Sequence, residues 1–267
     1  MHGNSLSGTL PSTLKVLSSL THLDLSGNLL YGTIPDIFIG IRKLQVLRLG
    51  NNGFHGRMPS YLSYNQDLIE INITKNNLIG HLLRESSKSG TLIYTLHNLE
   101  VVDLSYNDFD GTIMDRPMLD LSKLRIFQID GNEFRGFLSS YFGSLSSLSV
   151  LTARGNQLLP HIPSELGNLI NLQRLDLSSN RPELPNELDL SSLSMPLHTG
   201  EQLTGQIPSE LGNLRNLQRL NLSSNIFGGT LPSELGRCES LVELNIHDNN
   251  LEGTVPTEFR MLTSLRK

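Results

Sequence analysis

One phrase of leucines recurs along this chain, and it constrains the fold more than any other feature. In Leu20-Thr21-His22-Leu23-Asp24-Leu25-Ser26-Gly27-Asn28 the leucines stand three and then two residues apart, and an asparagine closes the phrase. The frame begins again at Leu44, Leu68, Leu99, Leu124, Leu148, Leu172, Leu217 and Leu241, giving nine periods through residue 264 and a tenth begun at Leu265. Six of the nine are 24 residues long, and no single period of that size can bury its own leucines. Neighbouring turns must shelter one another, so the expected product is an elongated stack over residues 1–267, read as one domain. Residues 1–19 form a partial turn in this frame, and residues 265–267 start a truncated one.

Each half of the period has a physical task. The alternation x-Leu-x-Leu-x belongs to a half-buried strand, so Leu23 and Leu25 point inward while His22, Asp24 and Ser26 face water. Strands repeated in this way predict a parallel sheet. The closing residue recurs as Asn28, Asn52, Asn76, Asn107, Asn132, Asn156, Asn180, Asn225 and Asn249. Its carboxamide carries two donors and an acceptor, which suits backbone groups of adjacent turns, and the series predicts an asparagine ladder. An apolar residue, a glycine and often a proline follow, as at Pro35, Pro59, Pro163, Pro208, Pro232 and Pro256. Proline cannot donate to a ladder, so this flank is expected to consist of turns and short helical pieces rather than a second long sheet.

The best-preserved stretches run from Leu217 to Gly236, including Asn225-Ile226-Phe227-Gly228-Gly229-Thr230-Leu231-Pro232-Ser233-Glu234-Leu235-Gly236, and from Asn249 to Pro256. They resemble the plant-type leucine-rich repeat of receptor-like kinases, receptor-like proteins and polygalacturonase-inhibiting proteins, and the resemblance extends over essentially the whole chain. It implies an α/β solenoid, a right-handed superhelix with a concave parallel β-sheet and a convex side of turns and short helices. It also implies surface recognition of a protein or peptide ligand, with a co-receptor as a further partner, at the cell surface or outside the cell. Such ectodomains usually carry cysteine-paired caps, which this sequence lacks, and the chain opens and stops within repeats, so it reads as part of a longer receptor or as a gene product whose sequence is missing its ends. Two other functions fit the resemblance: a secreted inhibitor of a cell-wall-degrading enzyme and an intracellular interaction scaffold.

Two periods depart from the frame. The third, of 31 residues, carries a polar excess at about 84–90, read as a surface loop. The seventh, of 45 residues, carries its excess at about 181–201, read as an island loop shaping a ligand pocket, as a degenerate repeat around Leu188-Asp189-Leu190, or as an error in the gene prediction.

Catalytic and metal-binding constellations are not found in the sequence, and neither an enzyme activity nor a cofactor or metal is expected. A net charge of −5 with scattered Lys and Arg argues against nucleic acid, and no apolar run is long enough for a membrane helix. The lone Cys238 falls where other repeats place Leu169 or Leu214, so a buried apolar role is expected.

Function is expected on the exposed strand positions. Val101, Ile126 and Val150 occupy equivalent places in consecutive repeats and predict an apolar strip, with Asp103, Tyr106, Gln128, Asp130, Thr152 and Arg154 around it. Arg174 and Arg219 follow in the same row, where like charges repel unless an anion or Glu243 intervenes, and a peptide carboxylate would suit them. Two glycosylation sequons, Asn72-Ile73-Thr74 and Asn221-Leu222-Ser223, fall on the same face.

Overall fold

A computed structural model describes residues 1–81, 95–113, 121–180 and 205–266. Nine three-residue strands, from His22–Asp24 to Glu243–Asn245, hydrogen-bond side by side in chain order as one parallel sheet. The register is uniform: Leu23, Leu47, Ile71, Val102, Phe127, Leu151, Leu175, Leu220 and Leu244 face one another across the strands. These residues form the inner row. Leu47, Phe127, Leu151, Leu175 and Leu220 are fully shielded from solvent, whereas Leu244, on the last strand, is half-buried. Each shielded apolar side chain stabilises the stack by roughly 1.5–3 kcal/mol.

The asparagines run beside this row, and their hydrogen bonds explain their recurrence. Nδ2 of Asn76 donates to Ile73 O at 3.0 Å in its own turn and to Leu49 O at 3.1 Å in the preceding one. Its Oδ1 accepts from the N–H of Phe54 at 3.0 Å. Asn52, Asn107, Asn132, Asn156 and Asn180 repeat both kinds of contact. At the ends Asn28 donates to Met1 O and Asn249 to Leu222 O. All are buried except Asn52 and Asn249, which are half-buried. Each carboxamide thus satisfies backbone groups that the inward turn of the chain removes from water.

The opposite side carries a series of 3-10 helices of three to five residues, such as Ser164–Asn168, Ser209–Asn213 and Ser233–Arg237. Most begin after a proline, whose fixed φ presets the first turn. Between them and the ladder the chain forms a further parallel sheet of seven strands, from Ser7–Gly8 through Leu29–Thr33 to Gln157–Leu158. Gly228–Thr230 pairs similarly with Asn250–Glu252. The expectation that prolines would prevent a second sheet therefore fails. Its strands use the residues between the ladder asparagine and the proline, and Leu29–Thr33 ends before Pro35. The missing donor lies outside the paired segment.

The sequence excesses at 84–90 and 181–201 lie outside the described residues. Their flanks are nevertheless in register. Arg174–Asp176 pairs directly with Arg219–Asn221, and Asn225 donates to Leu177 O across 48 positions of sequence. On the other side Gly205 is pressed against the Pro160 carbonyl so closely that a Cβ would overlap it. No helix among the described residues is long and apolar enough to cross a membrane.

Candidate functional site

On the outward face of the long sheet, alternation leaves the residues flanking each inner leucine available to a partner. Val101, Ile126 and Val150 stand opposite one another on three consecutive strands, each half-buried. Arg174 and Arg219 continue that row. Like charges at this spacing would repel, but each has an acid nearby: Arg174 lies 3.5 Å from Asp176 and Arg219 lies 3.8 Å from Glu243.

The neighbouring row is less accessible than the sequence implies. Thr152 is fully buried, and its hydroxyl donates to Asp130 Oδ2 at 2.9 Å, which removes it from the surface. Asp176 is likewise buried, accepting from the N–H and hydroxyl of Ser178. Asp130 also accepts from the Arg154 N–H at 2.7 Å. Burial pushes its carboxyl above the usual value of 3.8, against the opposing pull of these two hydrogen bonds. Asp103 and Gln128 are half-buried, and the Arg154 side chain is exposed.

Tyr106 occupies the rim, at the position before a ladder asparagine, where φ is positive at 57°. Its ring lies over Gly131, where a Cβ would come within 2.7 Å of the ring edge, and Lys75 Nζ stands 5.9 Å from the ring centre. The sequon asparagines are half-buried and tied into turns, Asn72 by the Thr74 N–H and Asn221 by the Ser223 N–H and hydroxyl.

The fold gathers Ile126, Gln128, Val150, Arg174 and Arg219 around a cleft of about 230 Å³, together with Gln173 and Gln218. Val101, Asp103, Tyr106, Asp130, Thr152 and Arg154 are not part of its lining. The two added glutamines had a signal in the sequence. Asn171-Leu172-Gln173-Arg174-Leu175 and Asn216-Leu217-Gln218-Arg219-Leu220 are the same five letters, 45 residues apart. Cys238 is buried beneath the convex side, 3.3 Å from Leu211 O, and burial pushes its thiol up to about 11. No group of His, Cys, Asp and Glu among the described residues is arranged to hold a metal ion.

Leucine-lined parallel turns closed by an internal asparagine ladder define a leucine-rich repeat protein, and the leucine rich repeat family profiles match residues 1–54, 216–238 and 240–262. Receptor-like protein 41 of Arabidopsis thaliana is 29% identical over 115 residues, which are 42% of this chain and 12% of that protein. The adenylate cyclase of Schizosaccharomyces pombe is 37% identical over 123 residues, 45% of this chain and only 6% of that enzyme. Among solved structures, the plant peptide hormone receptor RGFR1 in complex with RGF2 superposes with a TM-score of 0.77 at 28% identity, covering 98% of this chain and 41% of the receptor chain. The chain carries leucine-rich repeats similar to those of plant receptor-like proteins and of a plant peptide hormone receptor. It matches less than half the length of each of these relatives.

Proposed function

We propose that this chain is a non-catalytic recognition module, the ligand-binding segment of a cell-surface signalling receptor. Its ligand is a peptide or protein laid across the strands from Val101 to Arg219. The observation that carries this reading is the in-register apolar strip of Val101, Ile126 and Val150, which runs into a cleft with polar walls. An apolar centre with a polar rim is how binding hot spots are commonly composed. The kinship to receptor-like proteins and to a peptide hormone receptor supports the same conclusion.

The adenylate cyclase similarity does not bring catalysis with it, since the shared stretch is a small part of that enzyme and a repeat is a scaffold for many functions. The test is selection of binders from a displayed library of random peptides, followed by hydrogen-exchange mapping of the selected peptide. Protection should concentrate at residues 100–106, 125–131, 149–155, 173–176 and 218–221. Protection confined to the flanking seven-stranded sheet or the 3-10 helices would place recognition elsewhere and end this proposal.

A further inference from the structure

We infer that the cleft between Ile126 and Arg219 accepts an internal, uncharged stretch of an extended peptide, whose backbone amides are read by glutamine carboxamides. This rests on the peptide-binding reading above and narrows the ligand. The cleft crosses four consecutive strands, those of Ile126, Val150, Arg174 and Arg219, and so extends about 14 Å, the length of roughly four residues of extended chain. Its apolar part is supplied by Ile126 and Val150, half-buried, which suits one uncharged apolar side chain of the ligand.

The polar groups decide what else can enter. Gln128, Gln173 and Gln218 converge on the cleft, and no hydrogen bond within the described residues engages their carboxamides. A carboxamide offers a donor and an acceptor together, the pair that a peptide N–H and C=O require. The charged neighbours are differently placed. Arg174 has Asp176 beside it, Arg219 has Glu243, and Asp130 is occupied by Thr152 and Arg154. A terminal carboxylate arriving at the arginines would therefore meet two like charges already in place, Asp176 and Glu243, and would have to displace them. The uncommitted chemistry of the cleft is neutral and amide-like.

The test compares two displayed random-peptide libraries on the full chain, one presenting peptides internally within a loop and one presenting free C-termini. The loop library should yield a consensus of uncharged residues around one apolar position. Synthetic cyclic peptides of that consensus should lose at least about tenfold in affinity for the Gln173→Ala/Gln218→Ala variant and clearly less for Arg219→Gln. If the double variant melts below the parent, Gln173→Glu, which keeps the shape and removes the donor, replaces it in the same comparison. Enrichment only from the free-C-terminus library, an acidic consensus, or a loss with Arg219→Gln but not with the glutamine variants overturns the inference while leaving peptide recognition intact. Failure of both libraries to enrich any binder would overturn the peptide-binding reading and this inference together.

Discussion

At the residue scale, Asn65 shows how strictly each position in the period is used. It stands where other repeats place Leu145, Leu169 or Leu214 and is completely buried. Its Nδ2 reaches Phe38 O and Leu62 O only at 3.3 and 3.5 Å, and its Oδ1 has no donor among the described residues. Asn65→Leu should raise stability by about 1–3 kcal/mol, because an ill-satisfied buried amide is replaced by the side chain the site holds elsewhere. A urea midpoint at or below that of the parent would refute this. The ladder behaves oppositely. Asn132→Ala strips partners from Leu104 O, Ile129 O and the Phe109 N–H, and should cost more than about 2 kcal/mol by chemical denaturation.

Asp130 titrates in a way that can be checked. Its folded-state carboxyl lies above the usual 3.8 chiefly through burial, so folding favours the protonated form. Its contribution to stability is greatest below the unfolded-state value and declines as pH rises through the folded one. Asp130→Asn removes that titration, so its urea midpoint should change less than the parent's as pH rises from about 4. Parallel pH profiles for the two proteins would contradict the assignment.

At the scale of elements, the 3-10 helices stack through glycines whose role is space rather than backbone freedom. Gly167 and Gly236 lie outside the left-handed region, yet a Cβ on each would come within 2.5 Å of Glu210 O and 2.6 Å of Glu258 O. Gly167→Ala should push adjacent turns apart and cost about 1–3 kcal/mol, read as a lowered melting temperature. The strands were legible because alternate burial writes itself into x-Leu-x-Leu-x. The second sheet was not, since its strands are short and their pairing depends on the approach of neighbouring turns, which prolines farther along do not prevent. Thr152 was read as exposed for a similar reason: position in a strand assigns a face, while burial on that face is set by packing.

At the scale of the molecule, each turn leans on two neighbours, except at the ends. A buried leucine in the middle should therefore matter more than its equivalent on the last strand. Leu175→Ala should lower unfolding free energy by about 2–5 kcal/mol, and Leu244→Ala, whose side chain is half-buried, by clearly less. Equal losses in denaturant titrations would argue against a stack held by nearest neighbours.

The sequence by itself determined the period, the inward leucines and the recurring asparagines, because those depend on local alternation and on backbone groups that every turn shares. It also placed Val101, Ile126 and Val150 in one row. Only the tertiary structure decided that Gln173 and Gln218 close a cleft with Ile126 and Val150, that Arg174 and Arg219 have acids at hand, and that Thr152 is hidden. Those are relations between strands, fixed by the distance and lean of side chains across the sheet, and no single period contains them.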